Sequence, residues 1–210
     1  MRPVLFATAN PGKIMEVRHL LAAAGLPLVT PHEIGLLLNV PEPGATLEEN
    51  ATLKARAYLE RLPSGEFVVV ADDTGLEIDA LGGEPGIHVR HWTGGERMSD
   101  EAIIAYCLER LHGVPPAQRG AQFRTALAVG AELEAIALFE GTQRGVILEQ
   151  PDPLRIEGFP FESLFYVAEW GMLLGAMHLL PAGQKAGFVT HRERALRHAL
   201  PHIRALCGSA

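Results

Sequence analysis

The stretch Phe67-Val-Val-Val-Ala-Asp-Asp-Thr-Gly75 constrains the fold more than any other part of the chain. Three consecutive valines, β-branched and apolar, suit a strand covered on both faces, and such strands belong to α/β sheets flanked by helices. Open α/β sheets bind ligands where these strands run out into polar residues, so Asp72 and Asp73 are the first candidates for chemistry. Two carboxylates there suggest a divalent cation. Adjacent strand residues point to opposite faces, so one of the pair would enter a given site while the other supports the turn or the site's surroundings. An Asx turn, in which a carboxylate caps its own backbone, is the competing reading.

At 210 residues the chain is one large domain or two small lobes, with enough length for a substantial core. A net charge of −7 argues against binding a nucleic-acid polymer, which requires many lysines and arginines against phosphates. A small anion needs only a local cluster of cations. Cys107 and Cys207 are far apart and outside any Cys-x-x-Cys pair, so a reducing cytoplasmic location is expected and zinc is not. Met1-Arg-Pro-Val-Leu-Phe-Ala-Thr8 lacks the long apolar region of a signal peptide, and the apolar run from Gly171 to Leu180 is too short to span a bilayer. No membrane association is expected.

Periodicity and turn residues give the order of elements. Val4 to Ala7 reads as a strand, Asn10-Pro-Gly12 as a turn, and Ile14, Val17, Leu20 and Leu21 recur at helical spacing. A second helix is expected from Leu47 to about Leu62, opened by a capping box of Thr46 and Glu49 and closed by Pro63-Ser-Gly65. After the valine strand, the alternation of Leu76-Glu-Ile-Asp-Ala-Leu81 predicts a further, separate strand, followed by a glycine-rich loop. Ser99 or Asp100 would cap a helix running to Leu111. Residues 122–129 and 134–140 read as two strands of an antiparallel pair, broken by Gly141 and Gly145. A final helix from His191 would turn Ala195, Leu196, Ala199, Ile203 and Leu206 inward, kinked or shortened at Pro201. The fold class is therefore α/β. Without repeats or a Gly/Ser-rich linker, residues 1–210 read as one domain.

Three further groups carry candidate chemistry. Thr8-Ala-Asn-Pro-Gly-Lys13 lies between the first strand and its helix, where unpaired amides and the helix dipole favour phosphate; the alternative is a plain turn with Asn10 as N-cap. Asn50 and Lys54 share a helix face at i, i+4, and Glu49 is either a metal ligand or the capping partner of the Thr46 amide. Thr190-His-Arg-Glu-Arg194 puts cations at the end of a helix where the dipole disfavours them, which asks for an anionic or carbonyl-rich partner or for offset by Glu193. His198 and His202 also share a face at i, i+4, with no third metal ligand in sight, and His88 and His91 read as surface or pocket lining.

Taken in order, these segments resemble one family, the inosine triphosphate or non-canonical purine nucleoside triphosphate pyrophosphatases. The resemblance rests on Thr8 to Lys13, Glu49-Asn-Ala-Thr-Leu-Lys-Ala-Arg56, Ala71-Asp-Asp-Thr-Gly-Leu76, Ala80-Leu-Gly-Gly-Glu-Pro-Gly86, Phe139-Glu-Gly141 with Gly145, Gly158-Phe-Pro-Phe-Glu162 with Leu164-Phe165, and Thr190-His-Arg192. It implies a two-lobed α/β fold with a long central mixed sheet flanked by helices, an active-site cleft between the lobes, a homodimer, and Mg²⁺. The implied reaction converts a nucleoside triphosphate and water to the monophosphate and pyrophosphate. By the same resemblance Asp73, beside Asp72, is the proton acceptor and a metal-site residue, and Glu49 is a metal ligand. Thr8, Asn10, Lys13 and Lys54 hold the triphosphate, Thr74 is a substrate contact, and Phe159, Phe161, Glu162, His191 and Arg192 occupy the positions around the base; Gly12, Asn50, Lys185 and Thr190 are further candidates for substrate binding, the role of Lys185 left open.

The departures cluster in the base-reading part. Gly158-Phe-Pro-Phe-Glu-Ser163 stands where the family has Gly-Phe-Gly-Tyr-Asp-Pro, so Pro160 stiffens the loop and Glu162 lengthens a carboxylate. Ala186 occupies the place of the family's lysine, with Lys185 one residue upstream, and Thr190 replaces a serine. His91 takes the place of an arginine, with Arg90 just before it.

Overall fold

The computed structural model describes residues 1–185 and 187–208, so Ala186 lies outside the described residues. In chain order the elements are β1 (Val4–Phe6), α1 (Pro11–Ala23), β2 (Leu28–Val29), α2 (Leu47–Leu59), β3 (Val68–Ile78), β4 (Pro85–Gly86), α3 (Asp100–Arg110), β5 (Gly120–Gly130), β6 (Ile136–Ile147), β7 (Phe165–Val167), β8 (Met172–Leu173), α4 (Leu174–His178) and α5 (His191–Cys207). The strands form one sheet in the order β2-β1-β3-β5-β6-β7-β8, with β4 paired on β3. Pairing of β1 with β2 and β3 is parallel, and β3–β4, β6–β7 and β7–β8 are antiparallel, so the sheet is mixed. No helix of the described residues is long and apolar enough to cross a membrane.

The backbone divides into two compact units, one of residues 1–74, 125–142 and 191 onward, the other of 75–124 and 143–190. Strands β3, β5 and β6 each begin in one unit and end in the other. In the first unit, Val68 and Val70 of β3 join Val4 and Phe6 of β1, Leu127 and Val129 of β5, Val17 and Leu21 of α1, and Ala195, Leu196, Ala199 and Ile203 of α5 in one apolar core. Val69 and its register partner Leu5 are equally buried but stand outside this cluster, as period-two alternation between covered faces requires. The second unit has its own core, built by Leu76 and Ile78 of β3, Ile103, Ile104 and Cys107 of α3, and Trp92, Phe161, Phe165, Leu174 and Met177. Arg119, buried there, donates to the carbonyls of Leu111, Ile147 and Leu148 and ties the end of α3 to that of β6.

Several expectations are corrected. Asp72 and Asp73 lie inside β3, which runs unbroken from Val68 to Ile78, so there is neither a strand end nor an Asx turn at the pair, and Leu76 to Ile78 is not a separate strand. Gly75 serves close approach instead of a turn: a Cβ there would stand 2.6 Å from the Gly86 carbonyl oxygen on β4. Likewise β6 passes straight through Gly141 and Gly145. At Gly145 a Cβ would meet the Phe165 ring at 2.6 Å, so the missing side chain makes room for β7. Helix α2 ends at Leu59, because its last turn tightens into bonds from Arg61 and Leu62 to the Tyr58 carbonyl before Pro63. Helix α5 continues past Pro201 to Cys207 and is not shortened there; Leu206 packs against the core as expected, partly buried, and Cys207 joins the core beside it. Burial of its apolar stripe outweighs the one hydrogen bond that proline removes.

Candidate active site

Alternation along β3 gives the two aspartates different partners. Asp72 is 1% exposed, and its Oδ2 lies 3.0 Å from Lys13 Nζ and accepts from Arg192 Nε at 3.0 Å. The Arg192 guanidinium, itself 2% exposed, continues to Glu16 Oε1 at 2.8 Å through Nη1 and to Thr74 Oγ1 at 3.1 Å through Nη2. Asp73 turns to α2: its Oδ1 is 3.1 Å from Lys54 Nζ, and its Oδ2 accepts from Asn50 Nδ2 at 3.3 Å. Lys54 Nζ also reaches Glu42 Oε2 at 2.9 Å.

Local structure explains how each group arrives. Asn10 is the N-cap of α1, its Oδ1 accepting from the Gly12 and Lys13 amides at 2.9 and 3.3 Å, with Pro11 in the first turn. That cap fixes Lys13 in the first turn and places Glu16 one turn along the same helix face. On α2, Thr46 Oγ1 accepts from the Glu49 amide at 3.1 Å. The Glu49 carboxylate closes the cap by accepting from Ala45 N at 2.7 Å, one residue earlier than the Thr46 amide that the capping box predicts. Gly44 donates to Asn50 Oδ1 at 2.8 Å, which turns Asn50 Nδ2 toward Asp73, and a Cβ at Gly44 would stand 2.6 Å from that oxygen. At the start of α5, a Cβ on Gly141 would collide with the backbone of His191 and Ala195, so this glycine lets the helix settle onto β6 and deliver His191 and Arg192. Of the cations at the α5 N-terminus, Arg192 thus has its anionic partners in Asp72 and Glu16.

A cavity of about 250 Å³ is lined by Thr8, Lys13, Lys54, Asp72, Asp73, Glu42, Tyr58 and the segment Leu37 to Val40. Burial alone would raise the Asp72 carboxyl, but the charges of Lys13, Arg192 and Lys54 outweigh it and hold that group well below the usual carboxylate range. Asp73 is displaced the other way. Its burial, with the negative charge of Glu42 added, prevails over Lys54 and Lys13. Lys54 is raised: burial pulls it down, and Asp73, Asp72 and Glu42 more than compensate. Lys13 is lowered by burial, which Asp72 only partly offsets.

Two observations bear on a metal ion. Asp72 Oδ1 is buried without a hydrogen-bond partner, an acceptor of the kind a cation or its water satisfies. Among the described residues no three His, Cys, Asp or Glu side chains converge on one point. Such a donor set does not suit zinc, but it fits Mg²⁺, which is commonly held by one or two carboxylates together with substrate phosphates. Glu49 is exposed, and its neighbour Asn50 touches Asp73. His198 Nδ1 lies 2.9 Å from the Glu140 carbonyl oxygen instead of pairing with His202 on a metal.

In the second unit, Phe159 is partly exposed while Phe161 is core, edge-on to Trp92 and Phe123 at 6.2 and 6.3 Å between ring centres. Glu162 is buried, with Oε2 3.1 Å from His178 Nδ1, and Lys185 Nζ donates to the His178 carbonyl at 2.6 Å. Arg90 holds the Gly158 carbonyl at 2.8 Å and pairs with Asp100, which in turn accepts from the Gly158 amide at 2.8 Å. His91 Nδ1 lies 3.1 Å from the Gly95 carbonyl at an exposed position. Thr190 is buried.

Of the expected site residues, the structure brings Lys13, Lys54, Asn50, Asp72, Asp73 and Thr74 together, with Thr8 lining the same cavity. It adds Arg192, which the resemblance puts near the base and the coordinates put on Asp72. Glu16, Glu42, His178 and Thr125, whose hydroxyl lies 2.8 Å from that of Thr74, escaped the reading of the sequence. Glu16 had one signal, its spacing of three from Lys13 on a predicted helix; the other three meet their partners only through the fold.

The comparisons with known proteins agree with this architecture. A dITP/XTP pyrophosphatase of Geobacillus kaustophilus is 38% identical over 197 residues, which is 93% of this chain and 91% of that protein. One of Thermus thermophilus is 39% identical over 198 residues, covering 94% and 89%. The solved structure of the Staphylococcus aureus Ham1 protein superposes with a TM-score of 0.76 at 30% identity, covering 97% of this chain and 99% of that one. With the model of the Ham1 family matching residues 4–202 as well, this chain belongs to the Ham1 family.

Proposed function

We propose that this protein hydrolyses non-canonical purine nucleoside triphosphates, of the dITP and XTP kind for which its relatives are named, to the monophosphate and pyrophosphate. The observation that carries the reading is the pair of adjacent β3 carboxylates, each matched to its own lysine on the wall of one cavity. In this reading Lys13, Lys54, Thr8 and the remaining amides of the first turn of α1 take the triphosphate oxygens. Asn10 orders that turn, Gly12 leaves its backbone open to approach, and Asn50 steers Asp73. Asp73, raised by burial and still within reach of solvent, accepts the proton of the attacking water. Asp72 stays ionised and holds Lys13 and Arg192 in place. Mg²⁺, held by Glu49 and Asp73, would neutralise phosphate oxygens and stabilise the pyrophosphate leaving group. Phe159 would stack on the base, and Glu162, Lys185, Thr190 and His191 would define its edge, with Phe161 supporting the loop from within. A cytoplasmic homodimer completes the proposal.

The Glu162–His178 contact favours a second reading of substrate choice alone, in which the same chemistry acts on another modified base. Pyrophosphate release from dITP, XTP, dATP and dGTP, measured with Mg²⁺ and with EDTA, tests both. Preferred turnover of dITP and XTP, lost in EDTA, supports the proposal. A different preferred base would support the second reading. Release of orthophosphate, or no release from any triphosphate, would refute the reaction itself.

A further inference from the structure

Gly158 is gripped on both sides of its Cα by one ion pair. Asp100 Oδ2 accepts from the Gly158 amide at 2.8 Å, Arg90 Nη2 donates to the Gly158 carbonyl at 2.8 Å, and Arg90 Nη1 closes the ring on Asp100 Oδ1. The two partners are themselves tied down. The Arg90 carbonyl accepts from the Met98 amide at 2.8 Å, and Asp100 opens α3 behind its N-cap Ser99, whose hydroxyl accepts from the Ala102 amide at 3.2 Å. Beside Asp100, Glu101 holds Arg155, so two consecutive carboxylates of α3 fasten the segment leading into Gly158 at two points. Gly158 has a φ of +83°, which glycine adopts without strain. Bonds to the N–H and the C=O that flank its Cα fix both torsions of the residue, and those torsions set the direction in which the chain continues to Phe159. The side chains of Arg90 and Asp100 are only 21% and 24% exposed, so the ring is partly shielded from water and salt.

We propose that Arg90 and Asp100 are positioning residues: by locking the Gly158 turn they hold Phe159 ready for the base before a nucleotide arrives. The link to the base rests on the proposed function, in which Phe159 stacks there, whereas the lock on Gly158 does not. A ring ordered in advance spares the nucleotide the cost of ordering it on binding. Its contact is the same in the ground state and the transition state, because the base is remote from the α-phosphorus, so the benefit falls on KM and not on kcat. Arg90 stands one position ahead of the arginine that the resemblance expects, and it is Arg90 that holds backbone here, while His91 remains exposed beside the Gly95 carbonyl.

Hydrogen exchange at the Gly158 amide, followed by NMR on the full chain without nucleotide, tests the lock. In the wild type it should be at least ~10-fold slower than at an unstructured glycine, and Asp100→Ala should release it. Free exchange in the wild type, or unchanged exchange in Asp100→Ala, would overturn the lock, and the wild-type measurement decides even if the variant does not fold. In turnover of dITP, Arg90→Ala and Asp100→Ala should each raise KM about tenfold, the scale of one base stacked on an aromatic ring, with kcat changed less than about twofold. Inhibition by inorganic pyrophosphate, which has no base, should keep its constant. In a Phe159→Ala background, Arg90→Ala should add no further loss, since both changes act through one ring. Additive losses, a fall confined to kcat, or weakened pyrophosphate inhibition would overturn the positioning of Phe159. Absence of any pyrophosphate release by the wild type would instead count against the reaction, with the exchange result unaffected.

Discussion

Asp72 and Asp73 are chemically identical neighbours, and their surroundings displace them in opposite directions. A carboxyl lowered in the folded protein contributes stability that is fully present above its unfolded value, 3.8 for Asp72, and is lost as the pH falls toward the folded one. Urea midpoints should therefore hold steady down to about pH 4 and drop below it. Asp72→Asn should cost about 3–5 kcal/mol at neutral pH, because Lys13 and Arg192 would be left buried around a neutral amide. Asp73→Asn should behave differently, keeping the melting curve and losing roughly 10²–10⁴-fold in kcat for pyrophosphate release. The valine run singled out both residues as candidates, although the strand end on which that reading rested is absent. It left their division of labour open, because Lys13, Lys54 and Arg192 reach them from three separate helices.

Helices were legible from caps and spacing, and strands from branched apolar runs. Glycines misled, because a missing side chain serves a turn in one place and a close contact in another, and only the neighbour decides. Gly141 is the instructive case. Gly141→Ala should force α5 away from β6, lowering thermal stability and dITP turnover together as His191 and Arg192 shift; an unchanged melting temperature would show that the helix start has slack. Glu49 illustrates the other ambiguity, a residue fitted equally to a cap and to a metal. Glu49→Gln can still accept from the Ala45 amide, so stability should change by less than about 0.5 kcal/mol. If Glu49 holds the ion, the Mg²⁺ concentration for half-maximal turnover should rise several-fold, and an unaltered requirement would leave the residue as a cap alone.

On the scale of the molecule, two cores share three strands, and no stretch of sequence announces a boundary between them. The α/β class and the mixed sheet could be read from the chain, but not the interleaving, because each unit is assembled from distant segments whose affinity for one another is written only in buried surface. A chain ending at Thr190 lacks the helix that supplies Ala195, Leu196, Ala199 and Ile203 to the first core. Such a truncation should show no cooperative thermal transition by circular dichroism, whereas a native-like melt would show that core to be self-sufficient. Arg192 follows its partner Asp72 by 120 positions. During synthesis the ribosome therefore releases the aspartate long before the guanidinium, and for that interval Asp72 has Lys13 but not yet Arg192 to offset its charge. Completion of the first core is in this way tied to the arrival of α5, and a polypeptide stalled short of it stays open to chaperones and proteases.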